Sequence, residues 1–240
     1  MHNGKKILAL IPARGGSKGL PGKNVRPMLG KPLMVWSVQH ALEAGCADKI
    51  IVSTDSPEAA DAAKAAGAQV PFLRPAALAT DKASSADVII HAVEFLEAKG
   101  EKFDTLVLLE PTSPLREPYD ITAALDLMAE NPAARAVISV AKAEGSHPDF
   151  CVELNSGSKL IFRPGQAESV PKRRQEIRDL YYFEGTIYVS DIETFKARRT
   201  FVHDATLGYV VPRWKAVEID ELSDFICAEA LLKARLEKAF

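Results

Sequence analysis

Little in this chain supports several large classes of protein. It holds three cysteines, Cys46, Cys151 and Cys227, widely spaced and in no CxxC pair, so neither a disulfide framework nor a thiolate zinc site is indicated. They read as small buried or half-buried thiols in a reducing compartment. The five histidines show no HxxxH or HExxH spacing, which leaves a zinc hydrolase unsupported. Charge of one sign is equally scarce: the net charge is -2 over 240 residues. Coating nucleic acid or an anionic membrane needs a sustained basic field, so neither partner is expected and any anion binding must be local. Long apolar runs are missing too. "ILALIP" after the polar start "MHNGKK" is far too short to span a bilayer, and no small-residue cleavage pattern follows it. A cytoplasmic protein is expected.

What the chain does have is a rhythm. "KKILALIPA" (5–13), "KIIVSTD" (49–55), "DTLVLLEP" (104–111) and "RAVISVAK" (135–142) are apolar on both faces, as strands buried in a parallel sheet are. Between them, 32–45, 56–68, 84–100 and 118–131 read as helices, with Gly45, Gly67 and Gly100 as stops. Such alternation predicts a doubly wound α/β domain whose ligand crevice lies at the carboxyl ends of the strands. The rhythm breaks at Lys142. Residues 143–182 contain two short alternating runs (150–154 and 159–163) and a basic cluster, and read as an inserted, hairpin-rich lobe. "TIYVSD" (186–191) then resumes a buried strand, "LGYVVP" (207–212) adds another, and 221–240 closes as an amphipathic helix.

The first predicted strand runs into "IPARGGSKGLPGKN" (11–24), which packs Arg14, Lys18, Lys23 and four glycines into fourteen residues with no acid. Glycines admit a ligand close to the backbone, Pro21 keeps the segment out of a regular helix, and basic side chains around exposed N–H groups make a concave site for phosphates. Two familiar phosphate loops are excluded. A Walker A loop needs Ser or Thr after Gly22-Lys23, where Asn24 stands, and a glycine where Ser17 stands; GxGxxG is absent from the stretch.

Together with "RPAALATDKASS" (74–85), "LLEPTSPLR" (108–116), "PKRRQ" (171–175), "FEGTIYVSD" (183–191) and "VEIDELSD" (217–224), this loop resembles the acylneuraminate cytidylyltransferase family over residues 6 to about 232, with six blocks in the family's order. The resemblance implies one Rossmann-like nucleotidyltransferase domain over 1–240, a doubly wound, mostly parallel sheet with a small inserted dimerisation lobe. It implies transfer of CMP from CTP to the anomeric hydroxyl of a nonulosonic keto-sugar acid, sialic, legionaminic or related, with release of pyrophosphate. By that similarity Arg14, Ser17, Lys18 and Lys23 would grip the triphosphate, Lys23 steadying charge on the leaving pyrophosphate, and Asn24 would contact the nucleotide. Arg74 and Ser84 would read cytosine. Glu110, Arg116, Arg173, Arg174, Gln175 and Glu184 would surround the sugar acid, with the lobe around the "RRQ" step completing the site of a partner in a homodimer.

A metal is implied as well. Glu218 and Asp220 stand two apart on an extended segment, which puts both carboxylates on one face, suited to Mg²⁺ shared with phosphate oxygens. The family has an aspartate pair there, and this chain has Glu218 in place of the first. Two further departures fall at the expected sugar site: Glu110 where the family commonly has Gln, and Glu184 where it commonly has Asn. Each exchanges an amide for an acceptor-only carboxylate that repels a sugar acid unless one glutamate is protonated, Arg116 or an arginine of 173–174 pairs with it, the side chain turns away from the pocket, or the acceptor carries an amine or additional hydroxyl donors; a modified acceptor of that last kind is expected. Other readings stay open at this point. They are a nucleotidyltransferase for a different sugar, such as an eight-carbon keto-acid, a glycosyltransferase on the same scaffold, and a non-catalytic nucleotide-binding relative.

Overall fold

The computed structural model describes residues 1–145, 147–162, 173 and 176–239. Six strands form the central sheet: β1 (Ile7–Pro12), β4 (Lys49–Ser53), β5 (Thr105–Leu108), β6 (Ala136–Lys142), β9 (Tyr181–Asp191) and β10 (Thr206–Val210), in the order β10-β6-β9-β5-β1-β4. A short hairpin, β2 (Pro27–Met28) and β3 (Lys31–Pro32), follows the basic loop, and a second, β7 (Glu153–Leu154) and β8 (Leu160–Ile161), lies in the lobe. β1 pairs in parallel with β4 and with β5, and β6 with β10.

Helices cover both faces, as the doubly apolar strands require. On one face α1 (Leu33–Ala44), α2 (Pro57–Ala65) and α4 (Pro118–Glu130) pack Met34, Val38, Ala59, Ala63, Ile121 and Leu125 against Ile7, Ala9, Ile11 and Val107. The other is covered by α3 (Ser85–Glu97) and α5 (Ile192–Arg198), whose Ile89, Val93, Leu96 and Phe195 meet Leu8, Leu10, Leu106 and Leu108. α6 (Leu222–Leu236) joins neither layer. It lays Phe225, Ala228 and Leu232 against Leu20 of the basic loop, Met28 and Trp36, so the two ends of the chain share a satellite core.

β9 departs from the sequence reading in length and direction. It begins at Tyr181, inside the range expected for the lobe, and runs antiparallel between β5 and β6. The chain leaves β6 into the lobe and re-enters from the same end of the sheet, so the returning strand has to run antiparallel. The lobe itself keeps Phe150, Val152, Leu154, Leu160, Ile161, Phe162, Tyr181, Tyr182 and Phe183 exposed. No helix among the described residues is long and apolar enough to cross a membrane.

Candidate active site

β1 is flanked by β4 on one side and β5 on the other, so consecutive strands leave it in opposite directions. The crevice at such a switch point is where doubly wound sheets bind ligands. Here it is a cleft of about 580 Å³, lined by Arg14, Ser17, Lys18, Gly19, Lys23 and Asn24 from the basic loop, and by Arg74, Asp81, Ser85, Glu110, Thr112 and Asp220. Leu108, Val88 and Ile89 supply its apolar floor.

The loop is held open by contacts that leave its cations facing the cleft. Ala13 continues the sheet by donating to Ser53 O, Gly15 N–H donates to the Asp55 carboxylate at 2.8 Å, and Asn24 Nδ2 donates to Arg14 O at 2.9 Å. Asn24 is thus spent, in part, on bracing the loop. Lys23 donates to Ile219 O at 2.6 Å and stands 3.5 Å from Asp220 Oδ1. Gly19 backs directly onto the Asp220 carbonyl, where any Cβ would overlap it, so this position admits no side chain while the loop and the 217–221 segment stay docked. Gly15-Gly16-Ser17-Lys18-Gly19 also spells the GxSxG string of nucleophile elbows, but no histidine lines the cleft to serve Ser17.

Arg74 lines the cleft while its Nε donates to Ser53 Oγ at 3.0 Å and its Nη2 to Ser53 O; burial brings its pKa down to about 10. Ser84 has a role in the fold of its own and is not among the residues lining the cleft. It is the N-cap of α3, accepting from Asp87 N at 3.1 Å, and its neighbour Ser85 lines the cleft instead.

Arg116 likewise corrects the sequence reading. Fully buried, it donates to Thr186 O, to Ser37 Oγ at 3.1 Å and to Glu110 O at 3.0 Å, with Gly185 O at 3.5 Å. It ties β9 to the end of β5 from beneath the cleft and is not among the residues that line it. Arg173 is exposed and outside the cleft lining, and Arg174 and Gln175 lie outside the described residues.

Three carboxylates gather at the far wall. A Cβ built on Gly185 would lie 3.1 Å from Glu110 Oε2 and 3.5 Å from Glu218 Oε1, so the two side chains close on one point from both sides. Glu110 faces the cleft, and burial, followed by the charge of Glu218, raises its pKa to about 7. Glu218 is raised by burial and then by Asp220. Glu184 is turned inward: its Oε2 accepts from Thr186 N at 3.1 Å and Thr186 Oγ1 at 2.6 Å, its Oε1 has no partner among the described residues, and burial raises its pKa. Of the two departures from the family pattern, only Glu110 meets the cleft.

The sign of the Glu110 shift makes a stability prediction. A carboxyl whose pKa is higher folded than unfolded favours the protonated fold, so stability falls as pH rises from the unfolded value of 4.5 through about 7 and then levels. Glu110→Gln is therefore expected to match wild type near the lower pH and to exceed it by on the order of 1–3 kcal/mol above the upper one. Thermal melts across that range check this. A difference that does not change with pH would refute it.

An open α/β sheet with a cationic, glycine-lined cleft at its switch point defines a nucleotide-binding enzyme of the nucleotidyltransferase type. The family model for cytidylyltransferases matches residues 8–205, and the chain belongs to that family. Among its relatives, it is 33% identical to the CMP-N,N'-diacetyllegionaminic acid synthase of Legionella pneumophila over 97% of this chain and 98% of that protein. It is 30% identical to the pseudaminic acid cytidylyltransferase of Campylobacter jejuni over 98% of this chain and all (100%) of that one. With the N-acylneuraminate cytidylyltransferase of Streptococcus agalactiae it shares 33% identity over 92% of this chain, which spans 52% of that protein. The solved structure of a CMP:2-keto-3-deoxy-manno-octonic acid synthetase complexed with CTP superimposes with a TM-score of 0.69 at 19% identity, covering 96% of this chain and 99% of that one.

Asp81 is among the cleft residues that the sequence reading did not single out, as are Ser85 and Thr112. It stands within the second of the matched blocks, and its signal was that of a lone acid facing a loop of bases.

Proposed function

We propose that the protein transfers CMP from CTP to the anomeric hydroxyl of a nonulosonic keto-sugar acid and releases pyrophosphate. The observation that carries this reading is the convergence of Arg14, Lys18 and Lys23 with Asp220 at the mouth of the crevice between β1 and β5. The names of the three curated relatives support the acceptor class. Both substrates are anions, so catalysis is chiefly charge neutralisation and in-line positioning of the acceptor oxygen against the α-phosphorus. Arg14, Ser17 and Lys18 hold the phosphates. Lys23, fixed between the loop and the 217–221 segment, offsets the charge that grows on the departing pyrophosphate.

Asp220 and Glu218 are the residues that would hold Mg²⁺. Their donor set suits the ion: the Asp220 carboxylate lines the cleft, where phosphate oxygens can complete the shell, and its charge adds to burial in raising Glu218, which is not part of the cleft lining. Among the described residues no three His, Cys, Asp or Glu side chains form a complete cage, as is usual for a cation that keeps substrate and water ligands. Bound there, the ion would draw charge from the phosphates. The assigning experiment is a pyrophosphate-release matrix, four nucleotides against sialic, legionaminic, pseudaminic and eight-carbon keto-acids across a magnesium titration. CTP with a nine-carbon acid is expected to win, and Asp220→Asn to abolish the magnesium-dependent rate. Release without an acceptor, or an unaltered magnesium profile in the variant, would overturn the reading.

The acceptor should carry an amine or extra hydroxyl donors opposite Glu110, since its carboxyl, with a pKa raised to about 7, is in part ionised near neutrality and in that form repels a plain sugar acid. Glu110→Gln would then shift preference towards N-acetylneuraminate, and an unchanged acceptor ranking would sink that assignment. The exposed aromatic and aliphatic surface of the lobe favours a homodimer, since patches of this kind mark association sites. Sedimentation at micromolar concentration tests it, a monomer being the refuting result. The free thiols Cys46 and Cys227 suit work in the cytoplasm.

A further inference from the structure

Two cations of the basic loop are already bridged by an anion of the protein itself. Asp81 belongs to the irregular segment between a short 3-10 turn at Ala76–Leu78 and α3. One of its carboxylate oxygens lies 2.9 Å from Arg14 Nη1 and the other 2.9 Å from Lys18 Nζ. A carboxylate that spans a guanidinium and an ammonium with its two oxygens occupies the position two phosphate oxygens would take. The contact is not buried packing, because the Asp81 side chain is 41% exposed and that of Lys18 80%. Ion pairs this open to water are weak and yield to a more highly charged anion. All three side chains line the same cleft.

We propose that Asp81 is a resident counter-anion of the phosphate site, which a phosphate chain must displace from Arg14 and Lys18 and which, by returning, helps to expel pyrophosphate. The inference rests on the reading of the loop as a phosphate cradle. A bound nucleotide is anchored by its base as well as its phosphates, so it displaces Asp81 readily. Pyrophosphate has lost that anchor, and its hold depends on the cations for which Asp81 competes. Asp81 is therefore a positioning residue acting through Arg14 and Lys18.

Calorimetric titration of the full-length protein with inorganic pyrophosphate at low ionic strength tests this, using wild type, Asp81→Asn and Asp81→Glu. Asp81→Asn is expected to bind pyrophosphate at least about threefold more tightly, with an advantage that shrinks as salt is raised, while Asp81→Glu stays near wild type. In the assay, Asp81→Asn should show correspondingly stronger product inhibition by pyrophosphate and an unchanged KM for the sugar acid, a split that a merely structural role would not give. If wild type binds pyrophosphate and Asp81→Asn binds it equally or more weakly, the counter-anion role is overturned. If wild type binds no pyrophosphate, the cradle reading falls and this inference with it.

Discussion

Replacing Lys23 with alanine should lower turnover by roughly two to three orders of magnitude and the melting temperature by only a few degrees. The side chain is 14% exposed and lies in a loop outside the sheet and helices, so the folded state loses mainly one hydrogen bond to Ile219 O and a weak pairing with Asp220. That is worth about 1 kcal/mol. The reaction loses far more, because a fixed ammonium beside the leaving phosphates works in a cleft where water screens poorly. Lys23→Arg keeps the charge but not its point-like geometry and should recover part of the rate. Steady-state kinetics beside a thermal melt decide the matter: a variant that melts low, or that turns over normally, would remove Lys23 from the chemistry.

Arg116 sets the opposite expectation. Arg116→Ala should cost about 4 kcal/mol or more, enough that little folded protein survives, because it strips donors from the carbonyls of Glu110, Gly185 and Thr186 and leaves a void between β5 and β9. Arg116→Lys keeps a cation but cannot reach every acceptor, so it should be intermediate. Urea unfolding measures both. A loss under about 1 kcal/mol in Arg116→Ala would mean that the guanidinium is replaceable by water and that its enclosure has been overrated.

These two basic residues show what the sequence could and could not disclose. Lys23 stood out because its sequence neighbours are glycines, a proline and two more bases, although the partners that fix it, Ile219 O and Asp220, come from the far end of the chain. Arg116 was placed beside the sugar acid by resemblance alone, and the part it plays in the fold depends on β9 arriving beside β5 seventy residues later in the chain. The parallel strands were legible because a strand buried on both faces is apolar without interruption. The first half of β9, "YYFEG", is neither continuously apolar nor alternating, so its start was set too late. α5 was missed because its seven residues are too few to show a period, although Asp191 caps it by accepting from Thr194 N. The pairing of Glu110 with Glu218, and the inward turn of Glu184, are matters of side-chain direction across three separate segments. No spacing rule reaches that far.

The backing of Gly19 onto Asp220 has a consequence for how the protein is made. The cleft's first wall is translated near the start and its second some two hundred residues later, so no ribosome-bound fragment ending before residue 220 can close the site. At elongation rates of about 5–20 residues per second, the loop waits roughly 10–40 s for the segment that completes it. During that wait its glycines, bases and Leu20 have no satellite core to rest on, since Ile219 and α6 do not yet exist. A nascent chain can bury the parallel strands and still be unable to hold a nucleotide. Binding competence therefore arrives only when the 217–221 segment docks onto the basic loop.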